Sequence, residues 1–211
     1  WVHNGQYVVR SSATDLATNV QTSLSSSAFT YDIIVPTAAP LGYGEAPTLN
    51  YRNETQATLS GTAQDSPAGI GSVEIAISSS AGAANTWWNG SSTFTAAAPV
   101  FMTTTTYTPG SPDGWTRSLS GIHLENGKTY RVRLRTRDRV IPYNERQQDY
   151  DFRYDDAPPT ASIAQPANGS FKSANFSLSG GSSDPDPGAP LAASGVSTVT
   201  ISIRKDGTND C

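Results

Sequence analysis

Charge is scarce in this chain: Asp, Glu, Lys and Arg make up 15% of its 211 residues, against about a quarter in an average soluble domain. The surface must therefore be built largely from Ser, Thr, Gly, Asn and Gln. Cysteine is nearly absent. Cys211, the last residue, has no second cysteine to pair with, so no disulfide closes within the chain and cysteine usage fixes no redox compartment. A disulfide to a thiol elsewhere and an ordinary free thiol both fit. No apolar run approaches the ~18 residues needed to cross a bilayer, and no signal-peptide pattern is present. The chain begins at Trp1 rather than at a methionine, which reads as a mature or trimmed piece. A formal charge of −4 without a basic tail argues against nucleic acid as the main partner. Histidine is limited to His3 and His123, while nucleophilic hydrolysis normally needs a base beside its nucleophile. Neither a Gly-x-Ser-x-Gly elbow nor a His-Glu-x-x-His helix occurs. The expectation is a chain with no catalytic site and no organic cofactor.

What is present is repetition, and a repeat decides the fold before any local feature does. Phe29-Thr30-Tyr31-Asp32 recurs as Phe152-Arg153-Tyr154-Asp155, 123 positions later. At the same offset Tyr7 matches Tyr130, Asp15 matches Asp138, and Pro36-Thr37-Ala38 matches Pro159-Thr160-Ala161. With small insertions and deletions, Leu59-Ser60-Gly61 and Asp65 match Leu178-Ser179-Gly180 and Asp184. Gly69, Val73, Ile75 and Ile77 likewise match Gly195, Val199, Ile201 and Ile203. These matches divide the chain into 1–33, the closing part of one repeat; 34–156, a complete repeat; and 157–211, the opening part of another. Prolines at both joints stiffen them.

Within the complete repeat the apolar period is two. Val73, Ile75 and Ile77 alternate with Glu74 and Ala76; Tyr130, Val132 and Leu134 with Arg131, Arg133 and Arg135; Tyr150, Phe152 and Tyr154 with Asp151 and Arg153. Such alternation turns one face to a core and the other to water. Asn89-Gly90, Pro112-Asp113-Gly114 and Asn126-Gly127 break the runs. No segment reads as an amphipathic helix, so the fold is predicted to be all-β, a sandwich of short strands.

Three phrases resemble the bacterial immunoglobulin-like (Ig-like) tandem repeats of large secreted and cell-surface proteins. They are Trp87-Trp88-Asn89-Gly90 with Phe94, Asn126-Gly127-Lys128-Thr129-Tyr130 running into Thr136-Arg137-Asp138, and the Phe-x-Tyr-Asp ending before a proline-bearing joint. Asn4-Gly5-Gln6-Tyr7 with Ala13-Thr14-Asp15-Leu16-Ala17-Thr18-Asn19 is similar to the usual strand-and-turn phrase. The resemblance implies Ig-like sandwiches in an extracellular setting and implies no enzyme activity. Residues 96–114, rich in Ala, Thr, Pro and Gly, depart from it and are expected to form a loop or an added edge hairpin.

Three groups of side chains invite a ligand. Arg131, Arg133, Arg135 and Arg137 share one face of a strand, the pattern of a polyanion-binding stripe. The competing reading is an ion-pair ladder against the strand 148–155. Pairing near 137 with 149 would set Arg135 opposite Asp151 and Arg131 opposite Asp155, with Glu74 in reach from the other side. Trp87 and Trp88 are adjacent and must point to opposite faces of a strand. One is expected in the core and the other in solvent, where with Trp115 it could stack on a glycan. Asp32, Asp155, Asp156, Asp184 and Asp186 stand at joints and turns, as does Asp138. Such hard-oxygen ligands suit calcium, although no calcium-loop spacing is met and Asp is a common turn residue in its own right. Four Asn-x-Ser/Thr triplets, at Asn53, Asn89, Asn168 and Asn175, are expected by chance in a chain this rich in Ser and Thr.

The expected function is a non-catalytic structural or adhesive module in a large bacterial surface protein or filament. Its partners would be neighbouring Ig-like repeats of the same or another copy, and a cell-surface glycan if the aromatics are exposed; this segment inserts in no membrane. The alternative is an accessory spacer or glycan-binding segment of a secreted hydrolase.

Overall fold

A computed structural model describes residues 1–42, 49–52, 58–80, 82–104, 106–108, 112–185, 188 and 192–205. Among these there is no helix. The strands are β1 (Gln6–Ser11), β2 (Ser25–Thr30), β3 (Thr37–Pro40), β4 (Leu49–Arg52), β5 (Thr58–Gln64), β6 (Ile70–Ser78), β7 (Trp87–Trp88) and β8 (Phe94–Ala96). They continue with β9 (Met102–Thr103), β10 (Thr106–Thr108), β11 (Asp113–Ser118), β12 (Thr129–Asp138), β13 (Glu145–Tyr154), β14 (Thr160–Gln165) and β15 (Ser179–Ser183).

Residues 34–156 carry two sheets. One runs β10-β11-β5-β3; the other runs β4-β13-β12-β6-β7-β8, with β9 added to β6. The period-two alternation of β12 places Tyr130, Val132, Leu134 and Thr136 inward, each almost wholly buried. Val73, Ile75 and Ile77 of β6 meet them from one side, Tyr150, Phe152 and Tyr154 of β13 from the other. Leu59, Ala63 and Trp115 close the core from the second sheet. The result is a β-sandwich-like domain. Two buried polar bonds tie its core side chains to backbone carbonyls: Tyr150 Oη donates to the Ala38 carbonyl at 2.9 Å, and Trp115 Nε1 to the Thr62 carbonyl at 3.0 Å.

The segment 96–114 adds edges, as its composition suggests. β9 borders β6 at Glu74–Thr103 and Ile75–Met102, and β10 and β11 form an antiparallel hairpin on the edge of β5.

The flanking segments carry pairings found in the central domain. Hairpin β1–β2 pairs Tyr7 with Phe29, and β12–β13 pairs Tyr130 with Phe152. The rings stack in both, at 5.4 Å and 25° in the first and 5.5 Å and 24° in the second. The Val2 amide donates to Tyr7 Oη at 2.7 Å, and the Glu125 amide to Tyr130 Oη at 2.7 Å. The turn that leads into each hairpin has one left-handed residue, Asn4 before β1 (φ 61°) and Gly127 before β12 (φ 74°); Asn and Gly are the residues that tolerate that region. At the other end, Thr160 pairs with Ser183 and Ile163 with Gly180, as Thr37 pairs with Gln64 and Pro40 with Gly61. Val199, Ile201 and Ile203, expected in a strand like that of Val73, Ile75 and Ile77, are in no strand and stay exposed. In the central domain β12 holds β6 in place; among the described residues nothing plays that part for 199–203.

Candidate functional site

The arginine stripe is an ion-pair ladder. Arg131 grips Asp151 with two bonds, at 2.7 and 2.8 Å, and Arg133 grips Asp149 in the same way. Arg135 donates to Glu74 at 2.7 Å and Arg137 to Glu145 at 2.8 Å. Secondary contacts join Arg131 to Asp149 at 3.3 Å and Arg137 to Glu74 at 3.6 Å. Four cations thus meet four anions. The bonds push Arg131, Arg133 and Arg137 up from their ordinary values, led by Asp151, Asp149 and Glu145 respectively.

The register differs from the one expected: Arg137 lies opposite Glu145, not near 149, and Arg131 lies opposite Asp151, not Asp155. The cause is the short connection 139–144. Asp138 accepts the amides of Val140 (3.1 Å) and Asn144 (2.9 Å) and the Asn144 side-chain amide (2.7 Å), so pairing starts at once after the turn. Because the ladder neutralises the stripe's own field, exchanging Arg133 and Arg135 for Ser is expected to leave the salt concentration for elution from heparin unchanged. A clear drop would restore the polyanion reading.

The tryptophans also correct an expectation. Trp87 and Trp88 do face opposite ways, since Trp87 pairs with Ser78 on the ladder face of β6, while Trp88 contacts Phe94 at 5.3 Å. Both are nevertheless buried, at 2% and 4% exposure, and Trp115 is at 1%. Neither is free to stack on a glycan. The ladder face is itself covered: the Arg133 guanidinium lies over Trp87 (5.1 Å), Arg135 over Phe101 (3.8 Å) and Arg137 over Tyr143 (4.4 Å). Arginine stems and aromatic rings form a second layer of packing, which is why Ala76 and Ser78 are buried on a face that alternation assigns to water.

The aspartates separate into distinct environments. Asp155 is buried and accepts the Ala157 amide at 3.1 Å and the Ser194 amide at 2.6 Å. Burial pushes its carboxyl up, but these bonds and the charge of Arg153 outweigh burial and leave it below the usual range. Asp184 accepts the Gly195 amide at 2.7 Å and the Ser194 hydroxyl at 3.1 Å. Asp156 is exposed beside Tyr154, whose hydroxyl donates to it at 3.4 Å. Asp186, Cys211 and the Asn53 triplet lie outside the described residues.

Asp32 is brought together with two carboxylates from elsewhere. The end of the first segment places it against the β5–β6 loop, which carries Asp65, and the end of β12, which carries Asp138. Oxygens of all three lie within 4.8 Å of one another. Asp32 is buried; it accepts the Ile34 amide and, from across the joint, the Ala68 amide, each at 3.0 Å. His3 Nδ1 stands 3.2 Å from Asp32 Oδ1. Burial, then the charges of Asp32 and Asp138, push the Asp65 carboxyl above its usual range; the Gly69 and Ser66 amides offset only part of this. Asp65 was absent from the sequence-derived ligands because a turn aspartate reads as turn chemistry. Its match with Asp184 was the available signal.

No protein-family model matches this chain, and no curated protein matches it.

Proposed function

We propose that this chain is a non-catalytic structural or adhesive module, built of tandem Ig-like sandwich repeats, in a large bacterial extracellular surface protein or filament. The observation that carries this reading is the recurrence, 123 positions apart, of the Tyr7 and Tyr130 amide bonds, ring stacks and hairpin registers. Hydrogen bonds across the joints support a spacer of limited flexibility: Ala68 to Asp32 at the first and Ser194 to Asp155 at the second. The ladder then serves as a lateral brace of the sandwich rather than as a ligand surface.

Antibodies raised against the purified chain are expected to label intact cells of the source bacterium. Brief protease treatment of those cells should release fragments that differ by about one repeat. Labelling confined to permeabilised cells would overturn the reading.

A further inference from the structure

Along one side of the central domain the two sheets leave facing edges open. β3 ends its sheet and pairs only with β5. β4 covers β13 from Asp151 to Tyr154 alone, so among the described strands nothing pairs with the outer edge of residues 145–150. Tyr150 bridges the two edges through its bond to the Ala38 carbonyl. Beside it a groove of about 480 Å³ opens between the sheets. Small side chains, Ala38, Thr62 and Ala63 among them, form the wall on the β3–β5 side, while β13 contributes Arg146 and Gln148.

Arg146 is the unexpected member of this lining. Glu145, Asp149 and Asp151 of β13 point to the ladder face, where they engage Arg137, Arg133 and Arg131. Alternation therefore turns Arg146 and Gln148 to the core side, the side of Tyr150, Phe152 and Tyr154. Across the strands Arg146 lies opposite the buried Thr136. It is half-buried, and no described residue offers it a hydrogen bond or an ion pair. Each of the four ladder arginines has its carboxylate; this one, on the opposite face, has none. A half-buried cation gives up part of its hydration, and an anion best offsets that loss.

An inward-pointing charge at a sheet edge can also serve to keep other chains from pairing there. A guard of that kind needs no cleft behind it. Here the small side chains across from Arg146 leave room for the side chains of another strand.

We propose that an extended acidic peptide segment adds to the free edge of β13 at residues 145–150. Its backbone continues the sheet by hydrogen bonding, and every second side chain enters the groove. One aspartate or glutamate carboxylate among these meets the planar fork of the Arg146 guanidinium, whose paired donors match a carboxylate. The small walls set the size of the remaining inward side chains, and Arg146 sets the requirement for one acid.

The test is fluorescence anisotropy of a labelled peptide of alternating threonine and valine, with a central valine replaced by aspartate, titrated with the full chain. Saturable binding is expected. The same peptide with asparagine for the aspartate should bind about tenfold more weakly, the loss of a charge-assisted bond. Arg146→Gln should bind both peptides equally and weakly. Gln148→Glu sets a carboxylate beside Arg146 on the same face; it should behave alike and provides the same comparison if the first variant folds poorly. Methylating the backbone nitrogens of the aspartate peptide should abolish binding, because the added strand loses its donors. Arg10→Gln, on β1, should change nothing. Four results would sink the site: no binding of the aspartate peptide, equal binding of the two peptides, binding that survives in both groove variants, and a methylated peptide that binds as well as the plain one. Self-association of Arg146→Gln, beside an unaltered chain that binds no peptide, would assign Arg146 to guarding the edge instead.

Discussion

Replacing Trp115 by alanine is expected to cost about 3–5 kcal/mol of unfolding free energy, the usual range for deleting a buried tryptophan. The ring is 1% exposed and closes the second sheet over the core. Its indole nitrogen holds the Thr62 carbonyl at 3.0 Å, so the substitution also leaves a backbone acceptor without its donor. Trp115 pairs with Gly61 across β11 and β5, and the indole lies where a β-carbon on Gly61 would have to sit. The Ala39 carbonyl crowds the same point. Gly61→Ala is therefore expected to be destabilising on its own and less so once Trp115 is gone, a coupling typical of residues in contact. Urea unfolding of both single variants and the double variant measures it. Strict additivity would show that the ring and the glycine do not constrain each other. Since a domain this size has about 5–15 kcal/mol to lose, Trp115→Ala alone removes much of its stability.

The second large effect appears at alkaline pH. Burial pushes the Tyr130 hydroxyl up to about 12, against about 10 for an unfolded chain. Below pH 10 both states hold the proton and stability is unaffected. Between pH 10 and 12 the unfolded chain gives up a proton that the folded chain retains, so stability must fall with rising pH. A shift of that size corresponds to a loss on the order of 2–3 kcal/mol by the top of the window. Tyr154, raised by burial and by Asp156, adds in the same direction. Tyr130→Phe should flatten most of this slope. At neutral pH it should cost about 1 kcal/mol, because the Glu125 amide loses its acceptor. Denaturant unfolding at pH 8, 10 and 11.5 separates the two effects; an unchanged alkaline slope in the variant would place the titrating group elsewhere.

The all-β architecture was legible in the sequence because a half-buried strand writes its fold in period two. Val73 to Ile77, Tyr130 to Leu134 and Tyr150 to Tyr154 each alternate, and each supplies the core side of its strand. The matched bonds of Tyr7 and Tyr130 were foreshadowed by matched letters, since the same side chains in the same turn satisfy the same amides. The existence of the ladder was legible as well: opposite charges on facing strands seek each other whatever the register.

The register itself was not legible. It depends on where pairing resumes after 139–144, and that is set by three hydrogen bonds to Asp138. The burial of Trp87 was hidden for a related reason. Alternation assigns a side chain to a face, but whether that face meets water depends on what lies over it. Here the arginines of β12 and Phe101 from the added segment lie there.

By itself, then, the sequence determined the strands, the inward face of each and the internal matches, all of which follow from local periodicity and turn chemistry. Only the tertiary structure decided that Asp32, Asp65 and Asp138 meet, because their proximity arises from two loops and a strand end converging on one joint. Carboxylates so far apart in the chain carry no local signal of one another; the folded backbone brings their charges together.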